Sequence, residues 1–281
     1  MDKSGRTIRV SIISPIKNES QFVGYSIMAV LPYVHEIVYA CAKSTDGTDE
    51  LLDYIKSKYA KDKLILLRDD KYDFDPHDME AYNASFNDCI ERTTGDAVWF
   101  CHPDMIPLNP EHLSSLPQDA LAWWTNLQSY ARDFSTKITS GRTGRWKNIH
   151  KKELGLHYYG GYGSVNEDFY HSDITGQEHV FHGDMFDKYP FSVKDSGLDV
   201  NHYCELKPYE RRLEKMKKCL KTQVPGMSDS KIHELAKVHP RVTLDATTSQ
   251  FGDFKFERTE NIAPKIFKKH EKEFSSVLGK L

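Results

Sequence analysis

The chain has 281 residues, enough for one large α/β domain or one domain with an appended helical piece, and its 39% hydrophobic and 12% aromatic content describes a packed globular protein, not a disordered one. Lys and Arg number 38 against 41 Asp and Glu, and the net charge of −3 gives no global attraction to nucleic acid or anionic lipid. No apolar run approaches the ~20 residues that span a bilayer, and the first six residues (MDKSGR) carry no apolar signal core.

Strand and helix signals alternate through the first hundred residues. Residues 7–14 (TIRVSIIS) are β-branched and apolar and read as a buried strand. Residues 19–34 place Val23, Ile27, Val30 and Leu31 on one helical face. A second strand (EIVYAC) covers 36–41. Residues 49–59 carry Leu51, Leu52, Ile55 and Tyr59 at helical spacing, with Asp49 and Glu50 in the first turn, where the dipole favours anions. A third strand (KLILLR) covers 63–68. Residues 78–93 are helical, with Met79, Tyr82, Phe86, Cys89 and Ile90 inward and Gly95 ending the element. A fourth strand (DAVWFC) covers 96–101. Such alternation predicts an α/β fold, a mostly parallel central sheet with helices on both faces. Ligands then bind outside the carboxyl ends of the strands.

Three polar segments fall at those ends. In Ser14-Pro15-Ile16-Lys17-Asn18-Glu19, Pro15 fixes the chain direction, and Asn18 and Glu19 offer an amide and a carboxylate to a base or ribose. The ordinary alternative is that Asn18 caps the following helix. Ser44-Thr45-Asp46-Gly47-Thr48 opens the second helix, and small polar residues with Gly are also good turn chemistry. The third segment runs from Gly95-Asp96 through an apolar strand to His102-Pro103-Asp104. A plain turn with φ preset by Pro103 is its alternative.

Together the three segments resemble the nucleotide-sugar half of a family 2 glycosyltransferase with the GT-A fold. Residues 87–96 (NDCIERTTGD) match the spacing of the family's Asn-x-Gly-Ile-x-x-Ala-x-Gly-Asp signature from Asn87 to Asp96, with Cys89 and Thr93 replacing the first Gly and the Ala. His102-Pro103-Asp104 then stands where the family has Asp-x-Asp. The resemblance implies a divalent cation, Mn²⁺ or Mg²⁺, because a departing nucleoside diphosphate carries negative charge that a cation offsets. Asp104 matches the residue that usually contacts the metal. His102 replaces the other carboxylate and tilts the site toward Mn²⁺; contact with a phosphate or ribose, or a space-filling role, is its alternative. Asn18, Glu19 and Asp46, with Pro15 and Asn87, are the implied nucleotide-binding set. Two departures stand out. Cys41 occupies the place of an Asp that reads the base, and Phe86 that of an Arg preceding the Asn.

Beyond residue 110 the signal thins. Residues 119–124 (DALAWW) read as another strand, with Trp123 and Trp124 in the core or on an acceptor face. Residues 135–164 are rich in Gly, Ser, Thr and basic side chains and are expected to form an active-site loop, not core. Glu167-Asp168 resembles the pair that carries the catalytic base of inverting members; two solvated acids are the alternative. His179 and His182 on a strand point to opposite faces, against a zinc site. Val200-Asn201-His202-Tyr203 resembles the His-Tyr segment after the last core strand of GT-A enzymes, which makes His202 a third metal candidate beside a structural reading. Residues 207–222 form an amphipathic helix with seven Lys or Arg against two Glu, a basic face for an anionic acceptor or membrane surface, or a solvated face. Residues 228–238 and 263–277 read as two more helices.

The expected organisation is a catalytic domain over residues 1–204 and a helical extension over 205–281 packed on it. The expected protein is a metal-dependent glycosyltransferase that takes a nucleotide-sugar donor and a hydroxyl acceptor (a glycan, a small molecule or a modified nucleic acid). The alternatives are a nucleotide-sugar or nucleic-acid-associated binding module and a transferase acting on modified DNA bases. The five cysteines (Cys41, Cys89, Cys101, Cys204, Cys219) lie scattered, without a Cys-x-x-Cys pair, as in a reducing compartment, so a cytoplasmic location is expected.

Overall fold

The computed structural model describes residues 7–73, 79–131, 133–139, 144–160, 168–172, 177–180, 193–207, 213, 217, 228–238, 256–259 and 265–279. In chain order these form β1 (Val10–Ile16), α1 (Val23–Val30), β2 (Glu36–Cys41), α2 (Thr48–Lys58), β3 (Leu64–Leu67), α3 (Met79–Arg92), β4 (Ala97–Phe100), β5 (Met105–Pro107) and β6 (Ala122–Ala131). There follow β7 (Thr136–Ile138), β8 (Gly144–Lys151), β9 (Leu156–Gly160), β10 (Asp168–Ser172), β11 (Gln177–Val180), β12 (Val193–Glu205), α4 (Asp229–Val238), β13 (Phe256–Arg258) and α5 (Lys265–Leu278).

Strands β3-β2-β1-β4 lie side by side and run parallel. Their apolar runs are unbroken because both faces are covered. Alternation sends Ile37, Tyr39, Cys41 and Trp99 to one face, where α1, α2 and α5 pack with Ile27, Leu52 and Phe274. Val38, Ala40, Val98 and Phe100 go to the other face, against Phe86, Cys89 and Ile90 of α3. The α/β architecture with helices on both faces, expected for the GT-A fold, is the one observed. Beyond β4 the sheet becomes mixed: β8 is antiparallel to β4 and β6, β12 runs parallel to β6, and β5 antiparallel to β12. Strands β9, β10 and β11 form a separate antiparallel sheet.

The order 3-2-1-4 puts β2 and β4 on opposite sides of β1. The connection from β1 leads to β2 on one side and that from β4 to β5 on the other, so the chain parts at the carboxyl ends of β1 and β4, the place where such sheets form a ligand crevice. Pairing of β1 with β4 stops at Ile13↔Phe100, while β1 continues beside β2 through Pro15↔Ala40 and Ile16↔Cys41. The crevice begins there.

Two expectations are corrected. Residues 135–164 are not one polar loop, because β8 is an interior strand with Trp146, Asn148, Ile149 and His150 buried. Its polar positions hid it from hydrophobic patterning; Asn148 meets Thr125 Oγ1 (3.2 Å) and the Phe100 carbonyl (3.4 Å), so burial does not leave it unsatisfied. The first helix starts at Val23, and Asn18 does not cap it: Asn18 sits in the left-handed region (φ 56°), in the turn before the helix. The basic helix at 207–222 falls mostly outside the described residues, of which Leu213 and Lys217 are helical.

Helix α5 packs on α1 and α2. Phe274 lies against Gly24, whose added Cβ would come within 2.7 Å of the ring, and Tyr25 meets Phe267 (4.3 Å between centroids). Glu273 accepts hydrogen bonds from Tyr54 (2.5 Å), Tyr59 (2.6 Å) and Lys58 (2.6 Å) of α2 and its C-terminal end. No helix among the described residues is long and apolar enough to cross a membrane.

Candidate active site

The loops after β1 and β2 are laced together. Asn18 Oδ1 accepts from the Thr45 amide (2.7 Å), and the Asn18 amide donates to Ser44 Oγ (3.0 Å). The Glu19 amide donates to Thr48 Oγ1 (2.7 Å). Asp46 accepts from the Thr48 amide (3.1 Å) at the start of α2 and from the Ser20 amide (3.1 Å). Both the cap chemistry of Asp46 and the polar character of Asn18 are thus spent on a rigid wall beside the crevice. Pro15 lies within β1, buried.

The signature residues have structural reasons. Asn87 clasps the backbone of β9: its amide donates to the Tyr158 carbonyl (3.3 Å), and its oxygen accepts from the Tyr158 amide (2.7 Å). Gly95 passes so close to β1 that a Cβ would lie 2.7 Å from the Arg9 carbonyl and 2.4 Å from Ser11 Oγ. Asp96 takes the Arg9 amide (2.9 Å) and both ends of its guanidinium (3.1 and 2.9 Å), locking the start of β1 to β4. Glu36 joins them, accepting from Ser11 Oγ (2.8 Å) and from the Thr94 amide. Burial pushes its pKa up, but those hydrogen bonds outweigh burial and hold it below the ordinary value. Because backbone atoms crowd Gly95, Gly95→Ala is expected to cost about 2–3 kcal/mol of stability. Urea unfolding measures it; a loss under about 0.5 kcal/mol would contradict the close approach.

The chemistry gathers at the crevice. Ser14 Oγ and His102 Nδ1 lie 3.2 Å apart, joining the ends of β1 and β4. Phe86 packs its ring against His102 (6.0 Å between centroids). Cys41 is buried at the end of β2, and burial pushes its thiol pKa up to about 12. The β12–β5 register pairs His202 with Met105, and the Tyr203 amide donates to the Asp104 carbonyl (2.9 Å). This brings His202 Nε2 to 3.6 Å from Asp104 Oδ1, while Ser129 Oγ lies 3.3 Å from the other ring nitrogen and orients it.

Lys207 completes the group. Its Nζ lies 2.9 Å from Asp104 Oδ2 and 2.7 Å from Glu19 Oε1, with side-chain exposures of 17% for Lys207, 7% for Asp104 and 13% for Glu19. Burial pushes Asp104 toward its neutral form, but Lys207, then His202 and His102, overcome this and hold it well below the usual carboxylate range. Burial alone would lower Lys207; Asp104 and Glu19 instead keep it firmly charged. Sequence patterning placed Lys207 at the head of a basic helix whose polar face was read as an acceptor or membrane contact or as solvated. The only signal for its role was its place just after the His-Tyr segment.

The metal candidates are therefore partly united. Asp104 and His202 face each other, and His102 stands two residues before Asp104, but among the described residues no group of three or more His, Cys, Asp and Glu converges as a ready-made ion site. Asp104 Oδ1 is buried and accepts no hydrogen bond among the described residues. One carboxylate oxygen and one imidazole nitrogen suit Mn²⁺, which commonly completes its shell with water and substrate phosphate. The residues fit such an ion, with Lys207 as a competing cation. Glu167 lies outside the described residues. Asp168 is the first residue of β10, opposite Gly160 of β9.

No protein-family model matches the sequence, and no curated protein matches it. Among solved structures the chain is similar to a mannosyltransferase from Pyrobaculum calidifontis in complex with GDP-Man and Mn²⁺ (12% identity, 84% of this chain and 70% of that one, TM-score 0.45). It is similar to glucosyl-3-phosphoglycerate synthase from Mycobacterium tuberculosis in complex with Mn²⁺, UDP-Glc and phosphoglyceric acid (17% identity, 75% of this chain and 80% of that one, TM-score 0.39). A complex of the same synthase with phosphoglyceric acid gives 18% identity over 56% of this chain and 62% of that one, at a TM-score of 0.36. At identities this low, residue roles in those proteins do not transfer to this chain.

Proposed function

We propose that this protein is a glycosyltransferase that moves a sugar from a nucleoside-diphosphate donor to a hydroxyl acceptor and depends on a divalent ion, Mn²⁺ or Mg²⁺. One observation carries the reading: a buried cluster of Asp104, His202, Glu19 and Lys207, built on the Lys207 ion pairs, where β1 and β4 part. Charge is costly to bury, and this much of it in one crevice is the mark of a site for a charged ligand.

Asp104 and His202 would hold the ion, with His102 beside them. The ion, when bound, offsets charge developing on the departing diphosphate. Asp104 is kept ionised for that task above all by Lys207. The laced loops carrying Asn18, Glu19 and Asp46, with Pro15 beneath them, form the wall along which the nucleoside would lie. Asn87 serves that site by fixing β9 to α3. Asp168 or Glu167 would take the proton of the acceptor hydroxyl as the new bond forms. The domain division at residues 204 and 205 belongs to the same proposal, as does a cytoplasmic location, supported by Cys41, Cys89 and Cys101 as buried free thiols.

The test is a panel of nucleoside-diphosphate sugars, each with Mn²⁺ and with EDTA. The correct donor at 100 times its dissociation constant adds about 2.7 kcal/mol of stability. That gain is expected only with Mn²⁺ or Mg²⁺, together with release of nucleoside diphosphate. A panel in which no donor stabilises the protein and none is turned over would end the reading.

A further inference from the structure

Lys207 sits against the carboxylate that the ion would need. Its ammonium already holds Asp104 Oδ2 (2.9 Å), while Asp104 Oδ1 faces His202 Nε2 (3.6 Å). An ion on Oδ1 would therefore share a single carboxylate with a fixed positive charge, inside a crevice where water screens poorly. Glu19 Oε1, at 2.7 Å, draws the same ammonium into place.

The contact is built into the fold. The backbone leading to Lys207 is anchored: the Leu206 amide donates to the Tyr203 carbonyl (2.9 Å), and Gln21 Nε2 donates to the Leu206 carbonyl (3.2 Å). Tyr203 is fully buried in a cluster of rings, stacked on Phe22 (5.7 Å between centroids) and edged by Phe134 (5.3 Å) and Phe267 of α5 (5.9 Å). With the backbone held, only the four-carbon stem of Lys207 can redirect the charge. Lysine is also a compact point-charge partner for phosphate oxygens.

We propose that Lys207 is a tethered cation that competes with the divalent ion for Asp104, and that a diphosphate, by drawing Lys207 to itself, opens Asp104 to the ion. This rests on the transferase reading of the site and adds its regulation: ion and diphosphate bind with positive coupling, and neither binds well alone. The coupling is reciprocal, so each ligand raises the affinity of the other by the same factor.

Calorimetry with Mn²⁺ alone, and with Mn²⁺ plus inorganic pyrophosphate after allowance for the complex the two form in solution, tests this on the full chain. Lys207→Met removes the charge at similar length and is expected to bind Mn²⁺ about 10-fold or more tightly than the wild type without pyrophosphate. Lys207→Arg keeps the charge and should bind Mn²⁺ as weakly as the wild type. Pyrophosphate should raise the affinity of the wild type for Mn²⁺, and most of that gain should vanish in Lys207→Met. Should Lys207→Met fail to fold, Glu19→Gln with Lys207→Met removes one anion with the cation, and tighter Mn²⁺ binding is again expected. Unchanged, weaker or undetectable Mn²⁺ binding in folded Lys207→Met, or in the double variant if Lys207→Met does not fold, would overturn the competition, as would tighter binding in Lys207→Arg. Failure of the transferase reading reads out elsewhere, as absence of any nucleotide-sugar turnover, and leaves these affinities as they are.

Discussion

Asp104→Asn is expected to lower nucleotide-sugar turnover by roughly 10²–10⁴-fold, about 3–5 kcal/mol of transition-state stabilisation. The substitution keeps the shape of the side chain but removes the anion. Asp104 is buried, and its two oxygens face different partners, His202 at 3.6 Å and Lys207 at 2.9 Å. An amide could satisfy neither a divalent ion nor an ammonium as a carboxylate does. Lys207 would keep Glu19 as its anion (2.7 Å), so the fold should survive and the loss should fall on turnover. Steady-state kinetics with the correct donor, alongside circular dichroism, separates the two effects. Near wild-type turnover would mean that His102-Pro103-Asp104 is a turn and nothing more.

The second large effect is on stability. Lys207→Met should cost about 3–5 kcal/mol, because it leaves two mostly buried carboxylates without their cation. Against a total of about 5–15 kcal/mol for a domain, that is a severe loss. It carries a signature that a packing defect would lack: Mn²⁺ should restore much of it. An ion at 100 times its dissociation constant returns about 2.7 kcal/mol. Thermal melts with and without Mn²⁺ read this directly. A variant within about 1 kcal/mol of wild type, with no response to Mn²⁺, would show that Lys207 does not neutralise the pair.

The parallel half of the sheet was legible in the sequence because its strands are buried on both faces. Runs such as VSIISPI and EIVYAC leave little room for another reading, and the helices between them show clear apolar stripes. Strand β8 was not legible. Its residues Asn148 and His150 are buried polar groups at positions where patterning looks for apolar ones. What makes them tolerable is tertiary, as in the contact of Asn148 with Thr125 on β6. At the site, Asp104 and His202 were found by their motifs, and the β12–β5 register brings them face to face. Other residues of the same motifs also hold the scaffold together. Gly95 and Asp96 anchor β4 to the start of β1, and Asn87 anchors β9 to α3, so much of the signature is scaffold. Lys207 was missed. A lysine at the head of a basic helix looks solvated until the fold sets two carboxylates around it.

One measurement tests the central claim most directly: the anomalous scattering of Mn²⁺ in crystals grown with the donor that the stabilisation panel identifies. The account predicts a single strong peak at about 2.0–2.3 Å from Asp104 Oδ1 and His202 Nε2. The diphosphate should lie beside it at the carboxyl ends of β1 and β4, with Lys207 Nζ turned from Asp104 to a phosphate oxygen. A nucleotide bound elsewhere on the chain, or bound in this crevice with no ion near Asp104, would contradict it.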